Sequence, residues 1–170
     1  MITQAERPIA QSQKSARACL NIFNVLRANG MFSKVLVGID GSSYAEKAVS
    51  YAVDIAKKYE SNVTLVHVID FHVYAYEQVV VAQSDTRLKE EGKQILNRGQ
   101  ELARSLGMHV NTKLVAGSPA DEISRLANTE GFDLVVIGNR GLGSVKAFLL
   151  GSVSERVSRL TKCPVLIVKT

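Results

Sequence analysis

Five short segments dominated by Val, Ile and Leu punctuate this chain: KVLVGI at 34–39, VTLVHVI at 63–69, HVNTKLVA at 109–116, DLVVIG at 133–138 and PVLIVK at 164–169. Each is too short for a helix, and near-continuous apolar runs of β-branched residues predict strands covered on both faces, as in a parallel sheet. The intervening stretches keep helical spacing. Ser42 or Ser43 caps a helix running to about Tyr59, with Ala45, Ala48, Val49, Ala52 and Ala56 on one face. From about Asp85 to Leu106, Leu88, Gly92, Ile95, Gly99, Leu102 and Leu106 recur in steps of four and three. A helix-interior glycine costs about 1 kcal/mol relative to Ala, so Gly92 and Gly99 on that stripe predict close packing on the sheet. Ser118-Pro119-x-Asp121 opens a third helix and Gly131 closes it. A fourth carries Val153, Val157 and Leu160. Five strands alternating with four helices specify a doubly wound α/β fold, a Rossmann-like parallel sheet with helices on both faces. The strand order 3-2-1-4-5 would make Asp40, ending the first strand, a neighbour of Gly138, ending the fourth. Ligands bind such folds at that switch point, beyond the carboxyl ends of the strands.

The same end of the sheet carries Gly138, Gly141 and Gly151 followed by Ser152, the spacing G-x2-G-x9-G-S. Any one of these glycines reads equally as a corner in the chain. Together, between a strand and the start of a helix, they let backbone approach a ligand or adopt positive φ, and leave outward N–H groups at the positive end of a helix dipole. A phosphate chain is the anion such a cradle suits. A dinucleotide fingerprint after the first strand is absent, the turn there being GIDGSS. A phosphate-binding P-loop is excluded because Ser144 stands where lysine is required, and Lys146 does not repair the spacing. A Mg²⁺-dependent phosphoacceptor would gather carboxylates at the strand ends, yet the third strand ends in Ala116-Gly117 and Asp40 has no acidic neighbour in sequence.

Composition narrows the classes further. At 170 residues the chain suits one domain with its own core. Two cysteines, Cys19 and Cys163, make no disulfide framework, so a reducing cytoplasm is the expected setting, with Cys163 a small buried apolar residue. No run of 18 apolar residues is present, so no membrane is expected. Of the net charge of +5, residues 1–33 supply +3 and the remainder +2, which leaves no basic surface for nucleic acid. Residues 1–32 form an extension distinct from the domain at 33–170, rich in Gln, Ser, Ala and Arg, with one apolar stretch, CLNIFNVL, broken by Asn21 and Asn24. It reads as a docking helix, a targeting segment or a start-site artefact preceding Met31. His67 lies inside a buried strand and reads as a core histidine; His72 and His109 lack metal or triad spacing. The segment from Asp70 to Ser84 has no clear pattern.

At these residues the chain resembles the universal stress protein family. Its nucleotide signature G-x2-G-x9-G-[ST] is met by Gly138, Gly141, Gly151 and Ser152, and VGIDGS, VTLVHVI, GSPADEI and CPVLIVK fit as well. The resemblance covers residues 33–170 and implies the ATP-binding branch. It also implies that Asp40 and the backbone of Val63 hold adenine, that Gly38 and Ile39 line its pocket, and that Gly138 lies by the ribose. Gly141, Gly151, Ser152, Val153 and Ser154 would contact the phosphates with Mg²⁺ or Mn²⁺ on the triphosphate; Arg140 reads either as a phosphate contact or as a solvated loop residue. A homodimer through the last strand, Pro164 to Lys169, is implied too. The sequence shows a cradle and no positioned base, so catalytic residues are not assigned. Three functions stay open: an ATP-binding regulatory module of the stress response, a weak ATPase or nucleotidyl-transfer enzyme, and a nucleotide-independent dimeric interaction protein.

Overall fold

The computed structural model describes residues 31–70, 81–141 and 150–169. Its elements run β1 (Lys34–Gly38), α1 (Ser43–Tyr59), β2 (Asn62–Ile69), α2 (Val81–Ser105), β3 (Asn111–Ala116), α3 (Pro119–Thr129), β4 (Leu134–Gly138), α4 (Ser152–Leu160) and β5 (Val165–Val168). All neighbouring strands are parallel, in the order β3-β2-β1-β4-β5. The expected topology is the observed one. Expectations for His72, for Cys19, for Ser144 and Lys146 and for most of the 70–84 segment and the 1–32 extension lie outside the described residues.

The two-residue period of the strands sorts the core into two layers. Val35, Val37, Ile39, Leu65 and Val136 meet α1 and α2 on one face. Leu36, Val66, Val135 and Ile137 meet α3 and Val157 of α4 on the other. Ala48, Ala52 and Ala56 are fully buried, so α1 lies close on the sheet. Its first turn is closed by Ser42, whose Oγ accepts from Ala45 N at 3.2 Å. Gly92 and Gly99 pack as expected: a Cβ there would stand 2.6 Å from Leu114 Cδ1 and 2.9 Å from Leu65 Cδ1, respectively.

Three expectations need correction. Helix α2 begins at Val81, four residues before Asp85. Ser118 occupies the N-cap of α3 without a side-chain capping bond, its hydroxyl bonding the Asp121 carboxylate instead. Cys163 is only half-buried. In α4 the inward positions are Ser154 and Val157, while Val153 is 37% and Leu160 44% exposed.

Candidate functional site

Register brings the carboxyl ends of β1 and β4 together: Gly38 pairs with Val66 on one side and Ile137 on the other. Chain order sends the connection after β1 toward β2 and that after β4 toward β5, so the crevice between them is the switch point.

Asp40 sits in this crevice as a turn former. Its Oδ1 accepts from Ser42 N at 3.0 Å and Ser42 Oγ at 2.6 Å, and that hydroxyl in turn caps α1. Its Oδ2 lies against Gly141, in the space a side chain there would need. Thus Asp40, from the first loop, and Gly141, from the fourth, are in contact.

The three motif glycines are required for space and not for dihedral angle, since none is among the residues at positive φ. A Cβ on Gly138 would stand 2.8 Å from Tyr44 Cβ, and one on Gly151 would stand 3.1 Å from the carbonyl of Asn139. Gly151 is the N-cap of α4 at φ −72°, and its N–H donates to Asn139 O at 2.7 Å. The next three N–H groups, on Ser152, Val153 and Ser154, have no partner within the helix by helical geometry. Ser152 and Val153 are exposed beside them. At Ser154 the buried hydroxyl donates to Gly138 O at 2.7 Å, which leaves its main-chain N–H as the donor for a ligand. Arg140 is half-buried between Asn139 and Gly141.

Ile39 is buried over α2, and its N–H extends the sheet to Val66 O at 2.9 Å. Gly38 is tight against the α3 face: a Cβ there would stand 3.0 Å from both Ile123 Cδ1 and Ile137 Cγ2. Val63 does not join the group. It pairs with Val35 near the amino end of β2, three residues before the level of Gly38, or about 10 Å of strand away. The β2 residue at the height of Asp40 is Val68, two beyond Val66. Carbonyls and N–H groups of one strand residue turn to the same neighbouring strand and alternate along the chain. Val66 O accepts from Ile39 in β1's direction and Ile69 O accepts from Gly117 in β3's direction, so Val68 turns its N–H and C=O to the crevice. No side-chain pattern marks such a residue; only the position of the strand's carboxyl end, read from the Asp70 that follows the run, would have pointed to it.

Among the described residues no group of three His, Cys, Asp or Glu side chains is arranged to hold a metal. His109 is exposed, and His67 bonds Ile39 O through Nδ1 at 2.8 Å, the satisfied core histidine expected. Glu155 is exposed and lies 3.9 Å from Arg159. No helix among the described residues is long and apolar enough to cross a membrane.

Comparison with known proteins agrees with this geometry. Residues 31–169 match the model of the universal stress protein family. The chain is similar to universal stress protein YxiE of Bacillus subtilis, with 38% identity over 149 residues, 82% of this chain and all of that one. It is also similar to the solved structure of hypothetical protein MJ0577, with a TM-score of 0.68 and 31% identity, covering 82% of this chain and 97% of that one. A universal stress protein solved in complex with cAMP aligns with a TM-score of 0.63 and 31% identity, over 81% of this chain and 97% of its own.

Proposed function

This chain belongs to the universal stress protein family, and on that premise we propose that it is an ATP-binding regulatory module, in which nucleotide occupancy alters conformation or partners. The carrying observation is that the Asp40 loop and the N-terminus of α4 meet at one switch point, held together by the contact of Asp40 with Gly141. The base lies at the β1 and β2 side, against Ile39 and Asp40 and the main chain of Val68; Val63 is not part of it. Ribose rests by Gly138, and the phosphates by Arg140, Gly141, Gly151 and the first N–H groups of α4, at Ser152, Val153 and Ser154. The cradle suits an anion because the first N–H groups of α4 have no partner within the helix and lie at the positive end of its dipole, while protein atoms crowd Gly141 and Gly151 so closely that neither position has room for a side chain. Mg²⁺ or Mn²⁺ travels with the triphosphate and offsets its charge. A similar protein that holds cAMP supports a purine nucleotide as the ligand class.

Among the described residues of the motif helix the carboxylate, Glu155, is exposed, and the bound nucleotide is hydrolysed at most slowly. Mass spectrometry of ligand released from purified protein is expected to find ATP. Phosphate release far slower than a median enzyme rate of about 10 per second accompanies this reading; rapid multiple turnover abolished by Gly151→Val would replace it with an ATPase.

The module is a homodimer formed along β5, from Pro164 to Lys169. β5 is an edge of the sheet, its Val165, Leu166 and Ile167 only half-buried, and unpaired edges invite pairing with a second copy. Light scattering should give a dimer that Ile167→Pro disrupts; a monomeric unaltered chain removes this part of the reading.

A further inference from the structure

We propose that His67 is a positioning residue for the nucleotide base: its imidazole takes the Ile39 carbonyl and so keeps the main-chain N–H of Val68 open to the crevice. The inference rests on the purine-binding reading above and adds a device to it.

In a parallel ladder each strand continues by alternate donation and acceptance with its neighbour. The last main-chain bond between β1 and β2 runs from Ile39 N–H to Val66 O. The next in sequence would run from Val68 N–H to Ile39 O. That carbonyl instead stands 2.8 Å from His67 Nδ1. A carbonyl can only accept, so Nδ1 carries the proton and donates. The ring thereby ends the ladder one bond early. Val68 is 8% exposed, and its N–H and C=O face the place where β1 has turned away at Asp40. A donor and an acceptor side by side on one residue match the edge of a purine.

The opposite side of the ring shows that this placement is built in. Gly92 of α2 covers it, and a Cβ there would stand 3.0 Å from His67 Cδ2. A glycine in a helix interior is otherwise unfavourable. Its missing side chain leaves room for both Leu114, whose Cδ1 would stand 2.6 Å from a Cβ there, and the imidazole, which reaches across to Ile39 on the neighbouring chain segment.

The test compares His67→Leu, which removes the donor, with His67→Asn, whose amide N–H reproduces a donor close to the position of Nδ1. Affinities for Mg²⁺-ATP and for inorganic tripolyphosphate are measured by calorimetry, and exchange of the Val68 amide is followed by NMR without nucleotide. His67→Leu is expected to weaken ATP about tenfold, to leave tripolyphosphate unchanged, and to slow Val68 exchange as its N–H closes the ladder onto Ile39. His67→Asn should restore most of the ATP affinity. A folded Leu variant with unaltered ATP affinity, or one that loses ATP and tripolyphosphate equally, overturns the proposal. If the Leu variant does not fold, the unaltered protein decides: a ring protonated at Nε2 alone, or a Val68 amide as protected as Val66, refutes it, and the reverse supports it. The exchange and ring measurements need no nucleotide, so failure of the His67 device is distinguishable from failure of ATP to bind.

Discussion

The two ends of β1 offer opposite kinds of site. At the amino end lies a cleft of about 480 Å³ lined by Phe32, Ala127, Phe132, Cys163 and Pro164, with Asp133, Asn128 and Lys162 at its border. Near the carboxyl end a space between α1 and α2, beside Ile39 and Gly41, holds only about 20 Å³, and it is lined by none of the motif glycines. Volume alone favours the first. Its polar groups are nevertheless spent on the fold: the Asp133 carboxylate accepts from Ser33 N at 2.8 Å and Lys34 N at 3.1 Å. Asn128 donates to Leu160 O and accepts from Lys162 N. Burial pushes the Cys163 thiol above its usual value, which makes it a poorer nucleophile. The carboxyl end keeps main-chain donors at the start of α4 and along Val68. The difference teaches that recognition here depends on which backbone groups the fold leaves unspent, and that a large cavity can be a seam of the core.

The sharpest break in that comparison comes from Phe132→Ala. Phe132 is buried, and Lys34 Nζ lies 4.8 Å from its ring centre. Its removal should cost about 3–5 kcal/mol of stability in denaturant unfolding while the folded variant keeps its ATP affinity. A loss of affinity without loss of stability would move function to the cleft. Next in size, Gly141→Val and Gly151→Val should weaken ATP at least tenfold, about 1.4 kcal/mol. The first presses on Asp40 and the second on the Asn139 carbonyl; calorimetry that finds both folded and unimpaired would empty the proposed cradle. Ser152→Ala removes one exposed hydroxyl and should cost about 0.5–1.5 kcal/mol of binding, measurable in the same titration. The smallest effect is expected at Asp121, whose hydrogen bond with Arg156 of α4 holds its carboxyl below the ordinary value. A depressed acid stabilises the folded state above its unfolded pKa and loses that contribution as pH falls through its folded pKa. Asp121→Asn should therefore be slightly less stable at neutral pH, converge with the unaltered protein in acid, and bind ATP equally in both.

Side chains wrote most of this architecture legibly. The five apolar runs named the strands, alanines marked the buried face of α1, and Gly92 and Gly99 announced the close approach of α2. Legibility failed where the main chain acts or where an element is short. Val63 and Val68 belong to one apolar strand and look alike in sequence, and only register tells which end faces the crevice. In α4, Val153, Val157 and Leu160 keep a helical period, yet the nine-residue element buries only one of the three. For Ser154 the sequence could not tell hydroxyl from main chain, and the hydroxyl is held by Gly138 O. The glycines themselves were recognised by spacing, and their cause lies in the atoms that crowd them: Tyr44, Asp40 and Asn139.

The contact between Asp40 and Gly141 links two loops that sequence separates by a hundred residues. Because the carboxylate fills the volume of an absent side chain, neither loop can shift toward the other, and retreat of one gives the other room to move. On the proposed reading, a base beside the first loop and phosphates beside the second would press on the same contact. Fragments such as adenosine and tripolyphosphate should not bind as strangers; each sets the posture in which the protein meets the other.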